Sequence, residues 1–324
     1  MRPLQHLAVL LVTILALLLS SFRSQAQDTQ EEPLELSTQL VVIDAQVLNK
    51  KTGLPVQGLT ERDFVVYEDG VKQQLTHFSQ DSLPLSIVLL LDVSGSVMPA
   101  INSVRESGLK ALNQLKSGDE VALMAFGVWT TVLQEFTKDR QLVAERVGAI
   151  ERMGPWIREG TYIDEAMYES AKQLSHASLP DSRRIIIVVT DNLTNQPPTL
   201  GHSEAESLKQ VHGAGASVCG LVVGDFNNTV NEYRRTKGWT IKDSIGSYVA
   251  ETGGIRSQVD KDDVTVKLAG LIDRLRSRYS LGYTPNNEKR DGRFRNVSVK
   301  ISTQAERREG QMTIVARKGY YAPR

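Results

Sequence analysis

The chain has 324 residues, 38 of them basic and 38 acidic, so its formal net charge is zero. A balanced charge with no strongly basic run argues against nucleic acid as the main partner. The single cysteine, Cys219, excludes an internal disulfide, so stability must come from the hydrophobic core. Cys219 lies in an apolar run and is expected to be a small buried hydrophobe.

The first 26 residues have the pattern of a secretory signal peptide. Arg2 gives the positive start, residues 7–19 are almost entirely apolar, and Ser24-Gln25-Ala26 matches a signal peptidase site. We therefore expect cleavage near Ala26 and a secreted or periplasmic protein. An uncleaved membrane anchor is the alternative. No later segment is long and apolar enough to span a bilayer, so no stable membrane span is expected after signal removal.

Residues 27–83 are predicted to form a polar leader followed by strands and turns. Residues 40–47 and 64–68 are rich in β-formers, and Asp69-Gly70 predicts a type I′ hairpin into 71–75. We predict no helix of any length before Phe78.

From residue 84 to 278 the pattern alternates between strands and helices. The unbroken apolar runs 87–91 and 185–189 predict strands buried on both faces of a parallel sheet. The whole segment predicts a doubly wound, mostly parallel α/β sheet. The other predicted elements, in chain order, are helix 97–115, strand 121–126, edge strand 130–133, helices 142–150 and 161–174, helix 203–212, strand 218–223, helix 245–252, a short strand near 255, and helix 264–278. Residues 226–242 are interpreted as a solvated insertion, with a second contact surface as the alternative.

Residues 279–324 return to a β pattern. Strands are predicted over 279–284 and 312–316, and Val297, Val299 and Ile301 alternate strictly. Each flank alone has few strands, and isolated hairpins are marginal in water. We therefore expect residues 279–324 and 36–80 to pair into one small β-sandwich into which the α/β domain is inserted. Two independent β appendages are the alternative.

Oxygen-bearing side chains follow the two most strongly apolar strands. Asp92-x-Ser94-x-Ser96 follows the first, Thr190-Asp191-Asn192 ends the second, and Gly160-Thr161 opens a helix. In open α/β sheets, ligands bind beyond the carboxyl ends of the strands. Carboxylate and hydroxyl oxygens suit Mg²⁺, Mn²⁺ or Ca²⁺ and are poor ligands for zinc or copper. Ordinary turn and N-cap chemistry is the alternative for these residues.

This set resembles the von Willebrand factor A (vWA) domain and its metal-ion-dependent adhesion site, over roughly residues 84–278. The resemblance implies a Rossmann-like domain in which five side chains hold Mg²⁺: Asp92, Ser94, Ser96, Thr161 and Asp191. By the same resemblance, the three hydroxyls touch the ion directly and the two carboxylates act mainly through bound waters. An Asp or Glu of a protein partner would then be the last ligand.

The flanks are similar to those of secreted bacterial vWA-related proteins of the acidobacterial type. This similarity extends the resemblance to nearly the whole chain after the signal, and it concerns architecture more than role. The motifs that carry it are Gly58-Leu59-Thr60-x-x-Asp63-Phe64, Tyr67-Glu68-Asp69-Gly70, Tyr279-x-Leu281-Gly282-Tyr283-x-Pro285, and Arg317-Lys318-Gly319-Tyr320-Tyr321.

The loop before Thr161 is expected to surround the metal face with partner-binding residues. It contains Trp156, Arg158 and Glu159, and we expect Trp156 to contact the partner, with loop packing as the alternative. Asp164 is interpreted as an acid in the first turn of a helix and not as a ligand.

The leading hypothesis is a secreted, divalent-cation-dependent protein-binding module that is not an enzyme. A metal-dependent hydrolase is the rival, but the histidines are scattered and no GxxxxGK[ST] or GxGxxG loop occurs. An aspartyl-phosphate enzyme would need a second acid where Ser94 stands. The third hypothesis is a structural envelope protein with a vestigial metal site.

Overall fold

The computed structural model describes residues 40–80, 83–238 and 241–324. The predicted signal peptide, 1–26, and most of the leader lie outside these residues. The strands are β1 (Val41–Asn49), β2 (Phe64–Glu68), β3 (Val71–Gln73), β4 (Leu75–Ser79), β5 (Leu85–Asp92), β6 (Glu120–Phe126), β7 (Thr130–Thr137), β8 (Arg183–Thr190), β9 (Ser217–Val223), β10 (Arg256–Val259), β11 (Tyr279–Tyr283), β12 (Phe294–Ile301), β13 (Met312–Ala316) and β14 (Gly319–Tyr321). The helices are α1 (Met98–Leu112), α2 (Arg140–Val147), α3 (Ile163–Gln173), α4 (Glu204–Gly213), α5 (Phe226–Lys237), α6 (Ser244–Thr252), α7 (Val264–Arg276) and α8 (Thr303–Glu309).

The central sheet has the strand order β10-β9-β8-β5-β6-β7, and only β7 runs antiparallel to its neighbour. β5 is buried along its whole length, and its side chains alternate between two cores. Leu89 and Leu91 pack with α1, α2 and α7 on one face, and Val88 and Leu90 pack with α3, α4 and α6 on the other. The predicted doubly wound α/β sheet is confirmed, because an apolar run without alternation lets both faces of a strand be covered by helices.

Strands from both flanks of the α/β unit form two four-stranded antiparallel sheets, β13-β1-β11-β4 and β14-β12-β2-β3. Their side chains share one hydrophobic core, in which Ile43 of the first sheet and Val66 of the second are fully buried. The predicted β-sandwich is therefore confirmed, and its two halves are separated in sequence by the α/β domain. The Asp69-Gly70 hairpin is confirmed too, with φ of +46° and +82° at its two positions.

Three of the flank motifs meet at one buried carboxylate. Glu68 lies on β2 and is buried, and its Oε2 accepts hydrogen bonds from the hydroxyls of Tyr283 and Tyr320, each at 2.8 Å. Buried polar groups need such partners, since an unpaired one is costly. The sequence motifs of the flanks thus encode a polar link across the sandwich core.

Two helices do not match the sequence predictions. The segment interpreted as an insertion contains α5, in which only Phe226 is buried, and α8 was not predicted because only Ala305 is buried there. α8 contains a single apolar residue, and α5 contains only three, Phe226, Val230 and Tyr233, although these are spaced at i, i+4 and i+7. Both begin with a capping side chain, Asp225 for α5 and Ser302 for α8, which satisfies a free N–H of the first turn.

Cys219 is fully buried, as predicted. Of the helices in the described ranges, none combines the length and hydropathy that crossing a bilayer requires.

A buried histidine lies between the α/β domain and the sandwich. The ring of His212, on α4, packs against Phe294 at 5.1 Å and Tyr321 at 6.3 Å between ring centres. Burial, assisted by the Arg317 charge and opposed by Glu251, lowers the pKa of His212 to about 4. The folded protein therefore keeps this imidazole neutral.

Acidification is expected to destabilise the fold through His212. The unfolded chain takes up this proton near pH 6.5 and the folded chain near pH 4. The free energy of unfolding should therefore fall by up to about 3 kcal/mol as the pH drops through that window. Urea unfolding at several pH values should show a shallower loss for His212→Phe than for the wild type. The exposed His176→Gln variant is the control, and equal slopes for all three proteins would contradict the assignment.

Candidate functional site

The loops after β5 and β8 are joined by their polar side chains. The two strands pair in parallel, with Leu91 beside Val189, so Asp92 and Asp191 emerge at the same edge of the sheet. The Ser96 hydroxyl donates to Asp191 Oδ2 at 2.6 Å, and the hydroxyl oxygens of Ser94 and Ser96 are 3.3 Å apart. Four of the five predicted metal ligands therefore form one cluster of oxygens.

Asp92 is the buried member of this cluster. Its Oδ2 accepts a hydrogen bond from Thr190 Oγ1 at 2.6 Å and its Oδ1 accepts one from the Ser94 N–H at 2.9 Å. Burial, opposed by the hydrogen bonds and assisted by the nearby Asp191 carboxylate, raises the pKa of Asp92 to about 7. A cation at this edge would stabilise the charged form of a carboxylate in such surroundings.

Thr161 is held against the loop that follows Asp191. It is buried, its N–H donates to Asn195 Oδ1 at 2.8 Å, and its carbonyl accepts from the Thr194 hydroxyl at 2.9 Å. Its neighbour Tyr162 donates its N–H to the Gly127 carbonyl, at the end of β6. The structure therefore brings the three predicted ligand loops to the same end of the sheet.

The residues predicted to contact a partner differ in how they are placed. Arg158 Nη2 donates to the carbonyls of Ile150 and Glu151, at 3.1 and 3.4 Å, so its guanidinium is used within its own loop. Glu159 is exposed. The side chain of Trp156 lies outside the part of the structure that is described, and its partner contact stays a prediction.

Asp164 lies in the first turn of α3, where the sequence analysis put it. Its Oδ1 accepts a hydrogen bond from the Tyr248 hydroxyl at 2.8 Å, and burial raises its pKa. The contact with Tyr248 links α3 to α6, which is a structural role.

A cavity of about 590 Å³ opens beside Ser96 and Asp191. Its far wall is formed by the turns after β9 and β10 and carries exposed acids that the sequence analysis did not single out: Asp225, Asp260 and Asp262, with Lys261 between the last two. These are ordinary turn residues in the sequence, so no signal marked them. The cavity leaves room for a partner's side chain next to the oxygen cluster.

The donor set fits a hard cation. It consists of carboxylate and hydroxyl oxygens, which suit Mg²⁺, Mn²⁺ or Ca²⁺. Across the described ranges, no group of three or more His, Cys, Asp or Glu side chains is placed to hold a metal. An ion that has few carboxylate ligands can still bind another carboxylate as a ligand.

Asn192 is a site residue whose role only the structure makes visible. It follows Asp191 directly, is fully buried, and has a left-handed backbone with φ of +63°. Its Nδ2 donates to Asp243 Oδ1 at 2.8 Å and its Oδ1 accepts from the Ile245 N–H at 3.0 Å. Asn192 therefore fixes the Asp191 loop to the start of α6.

Replacing Asn192 with alanine is expected to cost about 2–4 kcal/mol of unfolding free energy. The change leaves the Ile245 N–H without its acceptor, and alanine tolerates the left-handed backbone less well than asparagine does. Asn192→Gly removes the same hydrogen bonds, but glycine adopts the left-handed conformation without strain. The glycine variant should therefore lose about 1 kcal/mol less unfolding free energy than the alanine variant. Urea unfolding of the two variants measures the difference, and a glycine variant no more stable than the alanine one would contradict the backbone contribution.

Comparison with known proteins supports a vWA domain. Residues 87–193 match the model of the von Willebrand factor type A domain, which is about a third of the chain. No curated protein matches the chain. Together with the sheet order and its flanking helices, this match assigns the α/β unit the vWA fold.

Three similar solved structures cover between 59% and 88% of this chain. The conserved hypothetical protein BatB from Bacteroides thetaiotaomicron is 18% identical over 59% of this chain and 98% of its own, with a TM-score of 0.45. The vWF domain of the type V pili tip protein Mfa5 from Porphyromonas gingivalis is 10% identical over 59% and 95%, with a TM-score of 0.42. A von Willebrand factor type A protein from Catenulispora acidiphila is 12% identical over 88% and 73%, with a TM-score of 0.45.

Proposed function

Because residues 87–193 match a von Willebrand factor type A domain, we propose that this protein is a secreted, divalent-cation-dependent protein-binding module. Mg²⁺ is the proposed ion, with Mn²⁺ or Ca²⁺ as substitutes, and its ligands are Asp92, Ser94, Ser96, Thr161 and Asp191. An Asp or Glu carboxylate of the partner completes the coordination. The protein acts by binding and not by catalysis.

The hydrogen bond from Ser96 to Asp191 is the observation that carries this proposal. It joins the loop after β5 to the loop after β8 at 2.6 Å, so the hydroxyls and carboxylates of two chain segments already face one another. If these residues only formed turns, their hydrogen bonds would lie within each loop, as the bond from the Ser94 N–H to Asp92 Oδ1 does. Convergence of oxygens from separate loops favours a cation.

In this arrangement the chain's own residues have distinct tasks. The hydroxyls of Ser94, Ser96 and Thr161 offer neutral oxygens to the ion. Asp92 supplies buried negative charge and, through Thr190 and Ser94, is held in one orientation. Neutral ligands leave much of the ion's charge uncompensated, which attracts the partner's acid and makes it the preferred last ligand.

The test is capture of envelope and secreted proteins of the source organism on the immobilised protein. A partner should be retained in Mg²⁺, released by a chelator, and lost when the carboxylates of the extract are first amidated with glycinamide. The Asp191→Ala variant should capture less partner than the wild type at the same Mg²⁺ concentration. Retention that is indifferent to the chelator or to amidation would overturn the proposal and favour a structural role with a vestigial site.

A further inference from the structure

Trp129 is a large aromatic side chain left in solvent. Its exposed fraction is 65%, whereas Phe126, three residues earlier in the chain, is fully buried. An exposed Trp is uncommon on a folded surface, and at interfaces Trp is the residue most often found as an energetic anchor. Its position therefore decides what it can contact.

Trp129 lies on a turn that borders the oxygen cluster. Phe126 pairs with Asp92 across the β5–β6 ladder, and the Val93 N–H donates to the Phe126 carbonyl at 2.9 Å. On its other side the same turn contacts the loop of Thr161: the Gly127 carbonyl accepts from the Tyr162 N–H at 2.9 Å. The turn is thus fixed between two of the loops that carry the proposed metal ligands.

The turn is also rigid. The Gly127 N–H donates to the Trp129 carbonyl at 3.0 Å, and the Val128 N–H donates to the Ile157 carbonyl at 3.1 Å. A β-carbon at position 127 would overlap the Ile157 carbonyl oxygen, so only glycine allows this close approach. A side chain presented on a rigid turn loses little entropy when a partner covers it.

We infer that Trp129 is the apolar anchor of the partner-binding surface, and that the partner presents a bulky apolar side chain close to the carboxylate that reaches the metal. This inference rests on the proposed function. Trp129 is three residues, at most about 10 Å of chain, beyond Phe126, and Phe126 is about 5 Å from Asp92 on the neighbouring strand. In an extended partner segment the apolar residue therefore lies roughly two to four positions from the acid.

The proposed partner chemistry has two parts with separate energetic roles. The carboxylate gives cation dependence, and the apolar side chain on the indole gives most of the selectivity among acidic segments. Burial of an exposed indole removes apolar surface from water without breaking any contact within the protein. Leu54, which is also 65% exposed and lies in the loop between β1 and β2, serves as a matched control.

The test is selection from a displayed library of linear random peptides in Mg²⁺, run on the full protein, on Trp129→Ala and on Leu54→Ala. Wild type and Leu54→Ala should enrich an acid with a bulky apolar residue two to four positions away. Trp129→Ala should still enrich the acid but lose the apolar preference. A peptide selected on wild type should bind Trp129→Ala at least about tenfold more weakly and Leu54→Ala unchanged.

The outcomes separate this inference from the proposed function. Enrichment of an acid with no apolar preference, or the same preference in Trp129→Ala, would overturn the inference and leave the cation-dependent function standing. Failure to enrich any acid in Mg²⁺ would overturn both. Because Trp129 is exposed, its replacement is not expected to disturb folding, and an unchanged urea midpoint verifies this.

Discussion

Replacing Asp191 with alanine is expected to weaken Mg²⁺ uptake about 10- to 100-fold, the range found when a carboxylate that orients metal ligands is removed. Asp191 accepts the Ser96 hydroxyl on Oδ2 and the Leu193 N–H on Oδ1, so it positions both a proposed ligand and its own loop. Without it, Ser96 loses its orienting partner and the cluster loses a negative charge. Isothermal titration calorimetry with Mg²⁺, and electron paramagnetic resonance with Mn²⁺, measure the change.

Asp262→Ala is the charge-matched control for this experiment. Asp262 lines the same cavity and is exposed, but it lies in the turn before α7 and is not part of the oxygen cluster. Its removal should change uptake by the small amount expected of a screened surface charge. If both variants lose affinity equally, the ion is held by general negative charge; if neither does, the five-residue site is wrong.

Replacing Arg183 with alanine is expected to lower the free energy of unfolding by about 3–5 kcal/mol, because it breaks a buried charged network. Arg183 is the first residue of β8, and its side chain is buried. Its Nε binds Asp44 of β1 at 3.2 Å, and its Nη2 donates to the Arg278 carbonyl at 2.9 Å and to Ser280 Oγ of β11 at 3.2 Å. Its Nη1 donates to the Leu275 carbonyl at the end of α7. One guanidinium therefore ties the α/β domain to the sandwich.

The adjacent Arg184→Ala supplies the comparison for this second variant. Arg184 is half-buried, and its Nη1 donates to the Ala214 carbonyl at 3.2 Å. Its loss should cost about 1 kcal/mol, the net value of a single hydrogen bond. Arg183→Lys keeps the charge but not the planar fork and should be intermediate, which provides a measurement if the alanine variant does not fold. Urea unfolding curves that place Arg183→Ala within 1 kcal/mol of Arg184→Ala would contradict the network.

The fold was largely predictable because its signals are local. Residues 87–91 and 185–189 are apolar without alternation, and such short runs bounded by turn residues are typical of strands covered on both faces. Asp69-Gly70 specifies its hairpin through backbone conformation alone. By contrast, α5 and α8 contain few apolar residues, so the hydrophobic pattern that marks a buried helix is weak in both.

The candidate site was predictable as a set of residues but not as an arrangement. Sequence order placed Asp92, Ser94, Ser96, Thr161 and Asp191 after the strands of a parallel sheet, and such ends share one edge. These five residues are held in place by hydrogen bonds between segments that are distant in the sequence. The pairs are Thr190 with Asp92, Asn192 with Asp243, and Asn195 with Thr161. No spacing rule in one sequence reports such pairs.

By itself the sequence determined which segments are strands, which end in oxygen-bearing loops, and that β segments enclose an α/β unit. These follow from hydrophobic pattern and turn chemistry, which act over a few residues. Only the tertiary structure decided which flank motifs meet at Glu68, that Arg183 joins the two domains, and that Trp129 is left in solvent beside the oxygen cluster. Burial and long-range hydrogen bonding are properties of the packed chain, because each depends on which surfaces face one another after the strands have paired.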